Sequence, residues 1–541
     1  MREKQILSDW DFSIYKLNYN AKVKTPHTWN VCEKTQNYRG KANYETTVFV
    51  DKNKQNQKVI LHFGAVYHTA DVYVNDTHIG THSGSGYTPF SFDITDAVFF
   101  GCNNCVKVIA DNTPSKNMLP YMKNFDWADD GGIIREVSVL FADADSIESV
   151  LVAPLLTDIA DDTCNGYLDL DISFFDNHMN DNAEFIISDY KTDEIVLRIK
   201  KQIRNNHAEI KFSNLKLWDF DNPNLYNLTI KTNNDAFTQK FGLRKIRVSE
   251  NYIFLNNKPV YLTGCEWMPG SHPDYGMAEP LEHSILCLKQ LKDSGCRFTR
   301  FHWQQDNRIY DWCDENGLLV QEEIPFWGAP KKPNKKQLTI AKQQADEMIK
   351  AHFNHPSIIF WGVGNELGGQ FKRTQKYVTE MRKYFKSKDK TRCVNYVSNT
   401  LGFIKGRQTD ATLFGDVAMW NEYLGLWMPC NDIPAKILEV NNICKSKPLI
   451  ITEFGLCEPH FKGGDERRNQ ILIDNVDCFN CADKIQGYVW FSLNDYRTHV
   501  GEQGEGRFKQ RVHGSTDLYG NKKPSYDTLC KVNAKQIEIH K

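Results

Sequence analysis

Long apolar runs, a strong charge of one sign and a regular cysteine framework are all missing from this chain of 541 residues. No stretch of about eighteen consecutive apolar residues occurs, so no membrane-spanning helix is predicted. The formal net charge is −2, which gives no electrostatic reason to expect a nucleic acid or an anionic membrane as a partner. The N-terminal residues include no apolar signal-peptide core, and a cytoplasmic protein is therefore expected.

The cysteine pattern also excludes several classes of protein. The chain has fifteen cysteines, an odd number, and Cys265, Cys287, Cys296 and Cys313 lie in apolar segments, where a thiol acts as a small hydrophobe. This pattern favours a reducing compartment. The two Cys-x-x-Cys pairs, at 102/105 and 478/481, lie too far apart in the chain to predict a zinc site. No His-Glu-x-x-His helix, Walker motif or dinucleotide fingerprint is present, so no metal and no cofactor are expected.

The length exceeds what a single hydrophobic core supports, and several domains are expected. Residues 1–145 contain short strands, such as Val59–Phe63 and Val106–Ala110, and a Gly/Ser-rich loop at 80–86. These features predict a β-sandwich. Residues 146–242 contain strictly alternating segments such as Tyr167–Phe174, which predict a second, immunoglobulin-like β-sandwich.

From residue 243 to residue 541 the pattern changes to strands that alternate with helices. One helix is predicted from residue 285 to Gly295, a second at 336–353 and a third at 466–482. Eight strands are predicted, at 259–263, 297–302, 318–323, 358–366, 393–398, 417–423, 448–454 and 487–492. Eight strand–helix units in about 300 residues are typical of a (β/α)8 TIM barrel, in which catalytic residues lie at the C-terminal ends of strands.

Two glutamates occupy such strand ends. Glu366 ends the fourth predicted strand and Glu453 ends the seventh. Cleavage of a glycosidic bond needs one carboxyl group to protonate the leaving oxygen and another to attack the anomeric carbon or activate water. Either glutamate alone would be weak evidence, because charged residues also occur at solvated strand ends. The pair, with Asn365 directly before Glu366, predicts a glycosidase.

The segments around these glutamates resemble glycoside hydrolase family 2, which contains β-galactosidases, β-glucuronidases and β-mannosidases. The resemblance is carried by Gly364–Leu367, His355–Ser357, Ile451–Gly455, 64–90, Gly131–Arg135, Phe241–Arg244 and Leu255–Pro259. It covers nearly the whole chain. It implies a jelly-roll, sugar-binding-type sandwich at 1–145, an immunoglobulin-like sandwich at 146–242 and a catalytic barrel at 243–541.

The family also implies roles for individual residues in a retaining mechanism. Glu453 would be the nucleophile and Glu366 the acid/base, while Asn365 would bind the 2-hydroxyl group of the sugar. The segment Asn421–Tyr423 resembles the family's Asn-x-Tyr element, in which Tyr423 would hydrogen-bond Glu453. Trp490 resembles an aromatic platform beneath the sugar, although a tryptophan in an apolar strand is often a core residue.

The residues expected to select the sugar depart from the family pattern. Arg511 and His513 stand where β-glucuronidases carry an Asn-x-Lys element, and Arg507 matches a family arginine near the sugar carboxylate. Guanidinium groups suit a planar carboxylate, so a glucuronide or galacturonide stays open as the substrate. The alternative is that Arg507 and Arg511 pair with the acidic residues at 495, 502 and 505.

Further departures follow the first three strands. Glu266 and Trp267 replace the usual His-Glu or His-Asp element, and Arg300–Gln305, which includes His302, replaces an Arg-x-Ser-His segment. Both changes are expected to reshape the sugar pocket. The Trp-Gly-Gly element of β-mannosidases is missing as well. Glu322 and Glu323 end the third strand, and their side chains either face the cleft or form a charged rim.

A retaining exo-β-glycosidase of the β-galactosidase or β-glucuronidase type, with a carbohydrate as its substrate, is the function that these patterns predict. The alternatives are a β-mannosidase-type glycosidase and a non-catalytic carbohydrate-binding protein, which would have no reason to keep both glutamates at strand ends. A homo-oligomer is implied by the resemblance alone.

Overall fold

Two β-rich units precede a closed eight-stranded barrel. This computed structural model describes residues 2–121, 125–176, 180–233, 235–327, 333–498 and 509–541. Within these ranges, no helix combines the length and the hydropathy that crossing a membrane requires.

Two antiparallel sheets share one apolar core in the first unit. The six-stranded sheet contains, in spatial order, Tyr19–Lys24, Asp9–Ile14, Lys41–Val50, Cys102–Asp111, Thr69–Val74 and Thr77–His82. The four-stranded sheet contains Glu3–Ile6, Val137–Asp143, Gln57–Phe63 and Phe90–Asp93. The loop predicted at 80–86 is wrong at its start, because Gly80 pairs with Val72 in a hairpin whose turn is formed by Asn75 and Asp76.

The second unit is a seven-stranded sheet folded over its own core. Its strands are, in spatial order, Ile147–Ala160, Thr163–Phe174, His207–Lys216, Ile195–Arg204, Asn180–Asp189, Tyr226–Lys231 and Ala236–Phe241. Strands three and four of this order pair only at Arg204 and His207. The sheet therefore divides into layers of three and four strands, as an immunoglobulin-like sandwich does.

The barrel strands are parallel and run in chain order. They are β1 (Leu262–Glu266), β2 (Phe298–Phe301), β3 (Leu319–Glu323), β4 (Ile358–Asn365), β5 (Cys393–Ser398), β6 (Ala418–Asn421), β7 (Leu449–Glu453) and β8 (Ile485–Phe491). The first strand was predicted too early. Lys258–Pro259 instead pairs with Ile253–Leu255, which also pairs with Ile246–Val248.

Helices surround the barrel. They are α1 (Leu281–Asp293), α2 (Asn307–Asn316), α3 (Lys335–His352), α4 (Lys372–Lys388), α5 (Ile433–Ile443), α6 (Gly464–Phe479) and α7 (Pro524–Ile539). Short 3₁₀ helices include Leu401–Phe403 and Ala411–Phe414, and a hairpin of Tyr496–Thr498 with Lys509–Arg511 follows β8. A capping box of Asn334 and Gln337 starts α3.

The first sandwich docks against the end of the barrel where the strands terminate. Asp130 accepts a 2.7 Å hydrogen bond from the buried Arg497, which lies beyond β8. Arg135 donates a 2.5 Å hydrogen bond to the backbone oxygen of Gln304, which lies beyond β2. The sandwich can therefore contribute side chains to any cavity at this end of the barrel.

Candidate active site

Glu366 and Glu453 stand at the C-terminal ends of β4 and β7, and both line one cavity of about 280 Å³. Glu366 is the first residue beyond the fully buried β4 and has a φ of +55°. A glutamate rarely adopts this left-handed conformation, which costs about 1–3 kcal/mol. Its N–H bonds the backbone oxygen of Val397 at 3.0 Å, so β5 holds the strained residue in place. Such strain is concentrated at functional residues.

The surroundings of Glu366 favour its protonated form. Burial, followed by the charge of Glu453, raises the pKa of Glu366 to about 7. Asn421 donates from Nδ2 to Glu366 Oε1 at 2.8 Å and to Asn365 Oδ1 at 3.1 Å. The Nδ2 of Asn365 has no hydrogen-bond partner among the described residues. That amide is therefore available to donate to a ligand hydroxyl group.

Glu453 is held by an arginine and a tyrosine. Arg300 donates from Nη1 to Glu453 Oε1 at 2.8 Å, and the hydroxyl of Tyr423 donates to Oε2 at 3.1 Å. Burial opposes the charge on Arg300, but the carboxylates of Glu323, Glu266 and Glu453 raise its pKa above the ordinary value. An ion pair and a donated hydrogen bond both stabilise a carboxylate anion.

A buried network of charged groups lies behind Glu453. Arg300 donates to Glu323 at 3.1 Å and to Glu266 at 3.3 Å, and burial raises the pKa of Glu266 to about 7. His302 Nδ1 lies 3.1 Å from Arg300 Nη2, which can only donate. His302 Nε2 lies 3.4 Å from Glu266 Oε1 and 3.7 Å from Glu453 Oε1. Burial opposes a charge on His302, but the carboxylate of Glu266 raises the pKa of His302 above its ordinary value.

The two glutamates at the end of β3 point in opposite directions. Glu323 contacts Arg300, whereas Glu322 lies 2.7 Å from His352 Nδ1. Both carboxylates are buried. The prediction that Glu322 and Glu323 form an exposed charged rim, one of the two alternatives for this pair, is therefore wrong.

Glu266, His302 and Glu453 are close enough together to hold a metal ion, with ligand atoms within 4.8 Å of one another. Arg300 Nη1, however, already contacts both Glu266 and Glu453. A fixed guanidinium supplies the positive charge that a metal would bring to these carboxylates. Glu266, His302 and Arg300 are therefore better suited to holding Glu453 in position than to binding a metal ion.

Arg511 reaches the cavity, but it has an acidic partner that the sequence did not suggest. Its Nε lies 2.7 Å from Asp126 of the first sandwich, and its Nη1 lies 3.1 Å from Cys457 Sγ. Asp126 also accepts hydrogen bonds from Tyr496 and Thr498, at 3.0 Å each. Of the acidic partners expected, Asp495 pairs instead with Lys523, and the other two, like Arg507, lie outside the described residues.

His513 also lines the cavity. Its side chain is buried, and burial together with the charge of Arg511 lowers its pKa well below the ordinary value for histidine. His513 is therefore neutral and acts as a polar, uncharged wall. The sequence predicted a cationic region formed by Arg507, Arg511 and His513. Among the described residues, only Arg511 contributes a positive charge there.

Trp490 and Trp267 do not line the cavity. Trp490 is fully buried, donates from Nε1 to Ser515 Oγ at 3.0 Å and packs against Phe454. Since neighbouring strand residues face opposite sides, the next residue, Phe491, lines the cavity instead. Trp267 is likewise buried in the core, and Met268 takes the place beside the cavity.

Several cavity residues were missed by the sequence analysis. They are Asp126, Trp127, Trp327, Asn399, Phe403, Trp427, Met428, Cys457 and Tyr496. Tyr496 starts the short hairpin after β8 and Phe403 ends a 3₁₀ helix. The others belong to loops and to the first sandwich, where no periodic pattern marks a side chain as facing a cavity. The aromatic content of the loops after β3, β5 and β6 was the one available signal.

A cavity with two glutamates in different environments, at the C-terminal end of an eight-stranded α/β barrel, is typical of a glycoside-cleaving enzyme. Three family models match the chain: the sugar binding domain of glycosyl hydrolases family 2 at 3–142, a second family 2 domain at 154–244, and the family 2 TIM barrel domain at 246–504. The chain belongs to glycosyl hydrolase family 2.

Relatives are similar over most of the chain. A β-galactosidase of Thermoanaerobacterium thermosulfurigenes is 28% identical over 92% of this chain and 70% of its own length. A β-glucuronidase of Bacteroides fragilis is 28% identical over 75% of this chain and 61% of its own length. The solved structure of a β-glucuronidase from an uncultured Clostridium species has a TM-score of 0.87 at 21% identity, and covers 99% of this chain and 98% of that one.

Proposed function

We propose that the protein is a retaining exo-β-glycosidase in which Glu453 is the nucleophile and Glu366 is the acid/base. The observation that carries the proposal is the contrast between the two carboxyl groups. Glu453 accepts from Arg300 and Tyr423, whereas burial raises the pKa of Glu366 to about 7. A carboxyl group whose pKa is raised suits the acid, and one that accepts hydrogen bonds from an arginine and a tyrosine is oriented as the nucleophile.

The reaction proceeds in two displacements. Glu366 protonates the glycosidic oxygen while Glu453 attacks the anomeric carbon, which gives a covalent glycosyl-enzyme and the free leaving group. Esterification removes the charge of Glu453, so the pKa of Glu366 falls and its carboxylate becomes the base that activates water. The free Nδ2 of Asn365 donates to the sugar's 2-hydroxyl group in both steps.

Two observations bear on the sugar. Arg511 brings a guanidinium to the cavity, which suits a uronide, but Asp126 already pairs with it. The relatives are named as a β-galactosidase and a β-glucuronidase. We therefore propose a β-galactosidase or β-glucuronidase type of activity, with the carboxylate of a uronide bound beside Arg511. A β-mannoside is the second candidate.

The test of the reaction uses Glu453→Gln together with a panel of nitrophenyl β-glycosides. Wild-type protein is expected to hydrolyse one sugar of the panel, and the variant to lose that activity while its circular dichroism stays unchanged. Proton NMR of the first product should show the β-anomer. Release of the α-anomer would exclude retention, and wild-type turnover by the variant would exclude Glu453 as the nucleophile.

The test of the sugar uses Arg511→Ala. If uronides are the substrates, the variant should raise KM for nitrophenyl uronides by about 10-fold or more, because a charge-assisted hydrogen bond is lost. KM for the matching neutral glycoside serves as the control. An unchanged ratio of the two KM values would remove Arg511 from carboxylate recognition.

A reducing compartment is also proposed, since Cys265, Cys287, Cys296 and Cys313 are buried thiols that form no disulfide bond. The homo-oligomer implied by the resemblance stays a prediction, as does the division into domains at 145/146 and 242/243.

A further inference from the structure

The segment at the end of β6 contacts both catalytic glutamates. Asn421, the last residue of β6, donates from Nδ2 to Glu366 Oε1 at 2.8 Å. Two residues further on, the hydroxyl of Tyr423 donates to Glu453 Oε2 at 3.1 Å. Glu422 lies between these two donors, and the mechanism proposed above does not use it. A displacement of Glu422 would therefore move the donors of both carboxyl groups together.

Two hydrogen bonds of Glu422 fix the backbone of this segment. Its N–H donates to the backbone oxygen of Glu453 at 2.7 Å, which ties the segment to β7. Its side-chain Oε1 accepts from the N–H of Leu424 at 2.6 Å. The second bond spans Tyr423, so that Tyr423 is enclosed between two fixed points of the backbone. The position of the Tyr423 hydroxyl beside Glu453 thus depends on the side chain of Glu422.

The carboxyl group of Glu422 lies in surroundings that oppose a charge. The residue is fully buried, and within the described part of the chain its Oε2 has no hydrogen-bond partner and no basic side chain pairs with it. A buried carboxylate without a cation is costly, whereas a neutral carboxyl group is tolerated. Burial raises the pKa of Glu422 to about 8, although the N–H of Leu424 favours the anion. Glu422 is therefore neutral at pH 7.

The neighbouring elements bring acidic groups to this segment. On α6, the pKa of Cys478 is raised by burial first and then by nearby charges that include Glu422. On β7, Glu453 contacts Glu422 through its backbone oxygen. The 3₁₀ helix Ala411–Phe414, which packs on β6, is preceded by Asp410, whose pKa burial also raises. None of these groups would compensate a negative charge on Glu422.

We propose that Glu422 is a positioning residue, whose neutral carboxyl group holds Asn421 against Glu366 and Tyr423 against Glu453. The inference rests on the proposed glycosidase function and adds a residue to it. Glu422 does not line the cavity, so it acts through its two neighbours.

The role of Glu422 has a consequence for the pH dependence of the reaction. Ionisation would place an unpaired charge in the protein interior, and the segment would have to move to bring water to it. This movement would withdraw the donors of both catalytic glutamates. Activity should therefore fall over the pH range in which Glu422 loses its proton, independently of the protonation of Glu366.

The test measures kcat/KM against pH with the β-glycosyl fluoride of the best sugar in the nitrophenyl panel. Fluoride leaves without a proton from Glu366, so the ionisation of that acid does not limit the first displacement. Glu422→Gln keeps an acceptor for the N–H of Leu424 but cannot ionise, whereas Glu422→Ala removes the acceptor. Glu322→Gln is the matched control, because Glu322 is also a buried glutamate on a barrel strand but contacts His352 instead.

In the wild type, kcat/KM for the fluoride should fall by about 10-fold between about pH 7 and about pH 9, as expected for a group with a pKa of about 8. Glu422→Gln should remove most of this fall, and the control variant should retain it. At about pH 6.5, Glu422→Ala should lower kcat by about 10- to 100-fold with a smaller change in KM, because small displacements of catalytic groups are costly. Glu422→Gln should recover most of that loss.

An alkaline fall of the same size in Glu422→Gln, or no fall in the wild type, would overturn the inference. Wild-type kcat in Glu422→Ala would overturn it as well. If Glu422→Ala does not fold, the comparison of the wild type with Glu422→Gln decides alone. Near-ultraviolet circular dichroism of the wild type should be the same at about pH 7 and about pH 9, since general unfolding over this range would contradict a local role.

The fluoride also separates this inference from the proposed function. If wild-type protein hydrolyses the fluoride but Glu422→Gln retains the alkaline fall, the positioning role fails and the glycosidase stands. If wild-type protein hydrolyses neither the fluoride nor any nitrophenyl glycoside at any pH, the proposed function itself fails.

Discussion

Neutralising Glu453 should lower the pKa of Glu366, and the size of this effect tests the electrostatics of the site. Burial and the charge of Glu453, in that order, raise the pKa of Glu366 to about 7. Glu453→Gln keeps the shape of the side chain and removes its charge. In the variant burial still raises the pKa of Glu366, while the hydrogen bond from Asn421 and the charges of His302 and Arg300 still lower it.

The magnitude follows from Coulomb's law. Retaining glycosidases hold their carboxyl groups about 5 Å apart, and two unit charges at that distance interact by about 3 kcal/mol at an effective dielectric constant of about 20. This energy equals about 2 pKa units. Arg300 donates to Glu453 at 2.8 Å and cancels part of its field. We therefore expect the pKa of Glu366 to fall by about 1–2 units in Glu453→Gln.

The measurement is a ¹³C NMR titration of protein labelled at the glutamate side-chain carboxyl carbon, from about pH 5 to about pH 9. The signal that disappears in Glu366→Gln identifies Glu366. Glu422→Gln is the matched control, since Glu422 is also a buried glutamate, with a pKa raised by burial to about 8. The reasoning is refuted if Glu366 titrates at the same pH in Glu453→Gln and in the wild type.

Three further outcomes are expected. Because the pKa of Glu366 is raised to about 7 in the folded protein, the wild type loses stability as pH rises towards about 7. Glu366→Gln lacks this loss, so its Tm should exceed that of the wild type by more at pH 8 than at pH 5. Tyr423→Phe removes the 3.1 Å hydrogen bond to Glu453 and should lower kcat/KM by about 10- to 100-fold, the range for a hydrogen bond to a charged group. Asp126→Asn should lower Tm, and a double-mutant cycle with Arg511→Ala should give a coupling of about 1 kcal/mol or more, whereas purely additive effects would exclude the ion pair.

The barrel strands could be predicted because each is a short apolar run between helical segments, and their order fixes which strand ends share one face. That is why Glu366 and Glu453 could be assigned to one cavity from the sequence. The direction of a side chain within a fully buried strand could not be predicted. All seven residues of β8 are buried, so no alternation shows that Phe491 faces the cavity and Trp490 does not.

Contacts between domains were equally hidden. Asp126 and Arg511 lie 385 positions apart, and their pairing depends on how the first sandwich docks on the barrel. Local charge patterns instead suggested partners close in sequence. The hydrogen bond between Arg497 and Asp130 shows the same principle, since a buried arginine takes the partner that docking brings to it.

The structure shows a relation between two of the departures from the family pattern, Glu266 and His302, that the sequence does not show. Glu266 ends β1 and His302 follows β2, and each replaces a residue that the family pattern leads one to expect. In the structure they contact each other at 3.4 Å, next to Glu453. His302 adds a second basic group beside Arg300 in this cluster, and the charge of Glu266 raises the pKa of His302 above its ordinary value against the effect of burial. The two departures therefore belong to one buried cluster with Glu453, which their separation in the sequence hides.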